Sequence, residues 1–259
     1  ACFGVAGNAF GVSLEPALRD VLAQVEGRPL RLARDLYLPG CVTLHARPGV
    51  AVAFLALARS RGLGEVAATA ASAHCCGAPL AWAGELEGFA AHAARYAPEL
   101  EPARRVIVHD PVCAHALRVL YPRLGVRVRP EILTLSAFLR TCVLPPVETG
   151  AQERHAFLEP CHLGRRLGEV EGMRGLLDRL LGARWAPLAD EDCCGAAGLL
   201  PETRPRTARQ LAEARLRTFW ASGADRLLTA SPRCAAHLAS VDPQAPIADV
   251  SQLLEVSAP

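Results

Sequence analysis

The residues best suited to chemistry in this chain are its cysteines. Ten occur in 259 residues, and eight of them form two sets of one pattern: Cys41, Cys75-Cys76 and Cys113, then Cys161, Cys193-Cys194 and Cys234. The steps are 34 and 37 residues in the first set and 32 and 40 in the second, and a glycine, Gly77 or Gly195, follows each doublet. A doublet that recurs with both flanking partners reads as a duplicated ligand set. Thiolate sulfur is a soft ligand suited to zinc and to iron–sulfur clusters. Adjacent cysteines cannot readily both reach distant disulfide partners in ordinary geometry, so disulfides are not expected. Structural zinc sites usually draw their ligands from two close Cys-x-x-Cys knuckles, whereas each set here is spread over about 70 residues, which favours an iron–sulfur cluster while leaving zinc open. Gly77 and Gly195 would give the backbone room to approach a bulky cluster. The remaining two cysteines are read as an incidental thiol, Cys2, and a core residue, Cys142.

The rest of the composition removes competing functions. Apolar residues make up 51% of the chain, enough for a full core, and the net charge of +2 supplies no nucleic-acid track. No apolar run reaches the roughly 18 residues that a bilayer span needs, and no basic region leads into a short apolar one as in a secretory signal, so a cytoplasmic, reducing location is expected. If the protein meets the inner face of a membrane, it would do so through partner subunits. Every one of the 28 basic side chains is an arginine. Without lysine, neither a P-loop ATPase nor a Schiff-base enzyme can be built. No Gly-rich phosphate loop precedes a helix, and no Gly-x-Ser-x-Gly motif occurs.

The elements that must position the cysteines alternate between strand and helix. A helix is expected from Leu14 to Val25, ending at Gly27 with Pro29 beyond it. Asp35–Leu38 reads as a strand running into Cys41, with a helix over 49–61; Val66–Ala73 leads into the first doublet, with a helix over 86–96 stopped by Pro98; Arg105–His109 is a buried strand before Asp110-Pro111 and Cys113, with a helix to Leu120. Val126-Arg127-Val128 and a helix over 135–142 complete the first half, and Pro145-Pro146 with Gly150 reads as a linker. The second half repeats the order: strand 155–158 before Cys161, helix 173–181, an extended run 184–188 before Cys193-Cys194, helix 207–220, and strand 226–230 before Ser231-Pro232 and Cys234. The expected fold is α/β, with two pseudo-twofold-related halves, each a mostly parallel sheet flanked by helices, and with the cysteines at the carboxyl ends of strands. The division is an N-terminal extension at 1–33, a first repeat at 34–147 and a second at 148–259. Helix N-termini at those strand ends would favour the thiolate form.

Three segments carry a family resemblance: Pro160-Cys161-His162-Leu163-Gly164-Arg165, Cys193-Cys194-Gly195-Ala196-Ala197-Gly198, and Ser231-Pro232-Arg233-Cys234-Ala235-Ala236-His237-Leu238. Over residues 34–255 the chain resembles the cysteine-rich CCG domain of the heterodisulfide reductase B and D subunits, of the iron–sulfur subunits of glycolate oxidase and anaerobic glycerol-3-phosphate dehydrogenase, and of small lactate-utilisation proteins. It looks most like the glycolate oxidase type. The resemblance implies one or two iron–sulfur clusters of the 4Fe-4S kind on the eight repeat cysteines. It also implies electron transfer beside a flavoprotein dehydrogenase subunit and a ferredoxin-like iron–sulfur subunit, in a complex that oxidises a 2-hydroxy acid. Two other functions stay open: a heterodisulfide or thiol-disulfide reductase, and a zinc-stabilised scaffold. The heterodisulfide reductase form has a fifth cysteine per set, where this chain has Ala116 and His237, and the ferredoxin-like Cys-x-x-Cys-x-x-Cys-x-x-x-Cys-Pro run is absent from the sequence.

Five histidines, His45, His74, His115, His162 and His237, lie within four residues of a repeat cysteine. An imidazole so placed more often donates a hydrogen bond to sulfur than it ligates iron, which makes His74, His115, His162 and His237 candidate supporting groups that could also serve as ligands, with His237 the foremost of them. Asp190-Glu191-Asp192 reads as a solvated loop, and Arg165-Arg166 as surface residues that could hold a carboxylate or help neutralise a cluster.

Overall fold

The computed structural model describes residue 3 and residues 6–25, 33–63, 65–147, 153–189 and 192–255. Gly27, Pro29, Gly150, Asp190, Glu191 and Cys2 lie outside the described residues. The chain divides into two compact units, Ala1–Leu135 and Ser136–Pro259, each built on a four-stranded parallel sheet.

In the first unit the strands are β1 (Asp35–Leu38), β2 (Val66–Ala67), β3 (Arg105–Val108) and β4 (Glu131–Thr134), in the order β2-β1-β3-β4. The second repeats this with β5 (His155–Leu158), β6 (Trp185–Pro187), β7 (Arg226–Thr229) and β8 (Ile247–Asp249), in the order β6-β5-β7-β8. The central strands are nearly continuous apolar runs, as strands covered on both faces must be; Leu36, Tyr37, Ile107, Phe157 and Leu228 are all buried. In both sheets the chain leaves the first strand towards one edge and then crosses to the other side. A crevice therefore opens at the carboxyl ends of β1 and β3, and again at those of β5 and β7, the place where ligands gather in open parallel sheets.

The helices are α1 (Glu15–Gln24), α2 (Cys41–Ala46), α3 (Pro48–Ser60), α4 (Ala78–Trp82), α5 (Leu86–Leu100), α6 (Pro111–His115), α7 (Leu135–Thr141), α8 (Val170–Leu181), α9 (Leu200–Thr203), α10 (Pro205–Ser222), α11 (Pro232–Val241) and α12 (Val250–Glu255). Three elements differ from expectation in an informative way. Pro98 does not stop α5 but sits inside its last turn, where the chain forgoes the N–H that another residue would donate to the Ala94 carbonyl. The helix carrying Cys113 widens into a π turn at Ala116–Leu120 before a last turn at Tyr121–Arg123, and a second π turn, His162–Arg166, follows Cys161. The fourth strand is Glu131–Thr134 rather than Val126-Arg127-Val128, which has no strand pairing; register with Arg105–Val108 selects the later segment.

Candidate metal centres

Each cysteine sits where a strand ends. Cys41 is the first residue of α2, directly after β1; Cys113 is the third residue of α6, after β3. In the second unit Cys161 precedes the π turn after β5, and Cys234 is the third residue of α11, after β7. The doublets occupy the loops beyond β2 and β6, so each set gathers on three strand ends around the crevice.

Within each set the sulfurs are neighbours. Cys41 Sγ lies 3.6 Å from Cys75 Sγ, and Cys161 Sγ lies 4.0 Å from Cys193 Sγ. Further thiol hydrogen bonds join Cys75 to Cys76 and Cys76 to Cys113, and in the other set Cys193 to Cys194 and Cys194 to Cys234. The order of contact is thus the same in both halves. The first set is entirely buried, whereas Cys161 and Cys193 of the second are partly exposed. Gly77 N–H donates to Cys75 Sγ at 3.4 Å and Gly195 N–H to Cys193 Sγ at 3.3 Å. Both glycines hold a left-handed conformation, with φ of 77° and 83°. A Cβ on Gly77 would lie 2.6 Å from His92 Cδ2, and one on Gly195 would lie 2.8 Å from the Ala208 carbonyl oxygen. The space those glycines leave is therefore taken by α5 and α10, which press against the doublets.

At four of the eight positions the surroundings oppose the expected preference for thiolate. A thiol hydrogen bond from Cys41, reinforced by Cys76 and by burial, pushes Cys75 well above the ordinary thiol range. The bond with Cys76 and then burial do the same to Cys113, and the bonds with Cys193 and Cys234 and then burial do so to Cys194. Cys161 is raised by its bond with Cys193 and by burial. Only Cys193 moves the other way, to about 2, held as thiolate by hydrogen bonds from Cys161 and Cys194, by the Gly195 N–H and by Arg165. Helix ends lose to crowding here: like charges in contact and out of water cannot all form. Among the described residues no group of three or more His, Cys, Asp or Glu side chains forms a compact cluster that could hold a metal ion; the sulfurs of each set meet in pairs, one after another. Such a set fits a group that brings positive charge to replace the thiol protons, because metal binding and thiol deprotonation are linked.

The flanking histidines take different places. His74 Nδ1 lies 2.6 Å from a Glu99 carboxylate oxygen, so this imidazole is turned to α5. His162 Nδ1 lies 3.7 Å from Cys161 Sγ. His237 Nε2 donates to the Ala208 carbonyl at 3.2 Å, and His115 lies on α6 two residues beyond Cys113. His45 stacks on Phe10 with centroids 4.0 Å apart. Arg165 and Arg166 are exposed, and Asp192 lies 3.6 Å from the guanidinium of the buried Arg215. Cys142, expected in the core, is partly exposed and donates to the Phe138 carbonyl at 3.4 Å. Two residues that local sequence patterns do not flag touch the first doublet: His92, 17 positions after Cys75, donates to the Cys75 carbonyl at 2.7 Å, and the Tyr121 hydroxyl donates to the Cys76 carbonyl at 3.0 Å. Burial holds His92 neutral by lowering its pKa. Its ring also lines a cavity of about 370 Å³ together with His74, Arg95, Tyr96 and Glu99.

Two parallel sheets, each with four cysteines at its crevice, define a class, and the chain belongs to it: the cysteine-rich (CCG) domain family, matched over residues 36–118 and 155–239. Among curated relatives, it is 26% identical over 203 residues to the B subunit of fumarate reductase (CoM/CoB) from Methanothermobacter marburgensis, covering 78% of this chain and 41% of that protein. It is 26% identical over 219 residues to the D subunit of the dihydromethanophenazine:CoB–CoM heterodisulfide reductase from Methanosarcina acetivorans, covering 80% and 53% respectively. A shorter match, 37% identical over 75 residues, links it to lactate utilization protein A of Shouchella clausii, with 29% of this chain and 31% of that protein covered. The chain spans about half the length of the first two relatives. No helix among the described residues is long and apolar enough to cross a membrane.

Proposed function

We propose that this chain is an iron–sulfur electron-transfer subunit of a flavin-dependent complex that oxidises a 2-hydroxy acid of the glycolate or lactate type. The observation that carries the proposal is the doubled four-cysteine set at the crevice of each sheet. Cys41, Cys75, Cys76 and Cys113 would hold one 4Fe-4S cluster, and Cys161, Cys193, Cys194 and Cys234 a second. Bound there, such a cluster supplies one-electron chemistry at a potential set by charge, burial and hydrogen bonds to sulfur. The protein's own part is to gather the thiols, direct the Gly77 and Gly195 N–H groups at sulfur, and keep water from the first set. The hydroxy-acid assignment is supported by the family resemblance and by the likeness to lactate utilization protein A. The expected partners are a flavoprotein dehydrogenase subunit and a ferredoxin-like iron–sulfur subunit.

Two specific observations favour other readings. The partly exposed Cys161 and Cys193, with a heterodisulfide reductase among the relatives, support reduction of a disulfide at the second set. Sulfur separations of 3.6 and 4.0 Å lie near the edge of about 3.8 Å expected for a tetrahedron of thiolates at ~2.3 Å from zinc, which supports a zinc scaffold. Metal analysis of anaerobically purified protein decides first: iron with acid-labile sulfide is expected, and stoichiometric zinc without visible absorption sinks the proposal. Cys193→Ser should then abolish one centre's spectrum while Cys142→Ser leaves both. Rapid reoxidation of the reduced protein by a disulfide would transfer the assignment to the reductase reading.

A further inference from the structure

The two cysteine sets differ in what holds their doublets. In the first, both doublet carbonyls are capped by side chains, Cys75 by His92 Nε2 at 2.7 Å and Cys76 by the Tyr121 hydroxyl at 3.0 Å. Both donors are buried. The Cys76 carbonyl shares a peptide with the Gly77 N–H, which in turn donates to Cys75 Sγ at 3.4 Å. A hydrogen bond accepted by a carbonyl polarises its peptide and makes the N–H on the other side a better donor, so the Tyr121 bond reaches the sulfur through one peptide unit. His92 acts in the same way on the preceding peptide, and its bond brings the positive end of an N–H dipole close to the set.

The second set has the inner bond without the outer ones. Gly195 N–H donates to Cys193 Sγ at 3.3 Å, yet among the described residues no side chain donates to the Cys193 or Cys194 carbonyl. Where the His92 ring meets Gly77, the backbone of Ala208 meets Gly195. The imidazole on that side, His237, donates to the Ala208 carbonyl instead.

We propose that His92 and Tyr121 are positioning residues that raise the reduction potential of the first centre and leave the second untouched. The inference rests on the metal-centre reading above. Burial of all four cysteines of the first set penalises the extra negative charge that reduction adds. Donors directed at that set stabilise the reduced state and offset the penalty. The second set, partly open to water, is relieved by solvent.

The test is a reductive titration of the iron-loaded protein, followed spectroscopically, with the second centre as internal reference. Tyr121→Phe and His92→Phe keep a ring in place and remove the donor; His92→Gln returns an N–H near the Nε2 position. Each Phe variant should lower the potential of one centre, the double variant should lower it further, and His92→Gln should recover part of the loss, with iron content and the other centre unchanged. A double variant that keeps full iron and unshifted potentials, even if its melting temperature falls, overturns the inference alone, as does an equal shift of both centres. A wild-type protein that takes up no iron overturns the functional reading and this inference with it.

Discussion

The glycine after each doublet is the smallest residue with the largest consequence. Its left-handed φ would cost another residue roughly 1–2 kcal/mol before any contact is considered. The contacts then separate the two positions. A Cβ at Gly195 would lie 2.8 Å from a backbone oxygen of α10 and 3.0 Å from a Cα, neither of which can swing aside. At Gly77 it would strike His92, which can move only by giving up its bond to the Cys75 carbonyl. Urea denaturation should therefore find Gly195→Ala destabilised by at least about 2 kcal/mol, and Gly77→Ala by less. The Gly77 variant should also raise the alkylation rate of Cys75 in metal-free protein. A neutral effect at Gly195 would show that α10 is not pressed against the doublet.

At the scale of elements, two caps place the last cysteine of each set. Asp110 Oδ1 accepts from Val112 N–H at 3.1 Å at the start of α6, and Ser231 Oγ accepts from Cys234 N–H itself at 3.3 Å at the start of α11. Each cap is followed by a proline, which needs no N–H partner in the first turn. Ser231→Ala should cost about 1 kcal/mol, measured by thermal melting, and should speed thiol labelling at Cys234 while leaving Cys113 unchanged. The echo of Asp110-Pro111 in Ser231-Pro232 is visible in the sequence because capping is a local device. The strands β1, β3, β5 and β7 are legible for a similar reason, since a short apolar run between turn residues has few other uses. What the sequence conceals depends on long-range fit. β4 is chosen by its register with β3, not by the β-branched residues of Val126–Val128. His92 and Tyr121 reach the doublet only because α5 and the last turn after α6 fold back over it, so their distance along the chain carries no local signal. The thiol pKa values escape a sequence reading because a helix end acts on one group at a time, whereas four sulfurs in contact act on one another.

Across the whole molecule, the repeat has been kept at the cysteines and allowed to diverge at the opposite ends of the strands. The first residue of β1 is Asp35, whose carboxylate pairs with Arg105 on the neighbouring strand. The first residue of β5 is His155, registered against Arg226, but Arg226 pairs with Glu153 at 3.0 Å. His155 is left 2% exposed, with neither ring nitrogen hydrogen-bonded among the described residues. Burial lowers its pKa below 6.5, against the opposing pull of the Glu153 charge, with Arg226 and Arg184 adding to the depression. The unfolded chain takes up a proton at this histidine near 6.5 while the folded chain still refuses it, so protonation favours unfolding. Stability from this source is fully present above that pH and is lost as the pH falls towards the depressed folded value; His92, lowered by burial as well, contributes with the same sign. The melting temperature of metal-free protein should accordingly drop between about pH 7.5 and pH 5, and His155→Leu should flatten part of the drop while leaving the first sheet's Asp35–Arg105 pair intact. A melting curve for His155→Leu with the full wild-type pH dependence would show that this imidazole is protonated in the folded chain as readily as in the unfolded one.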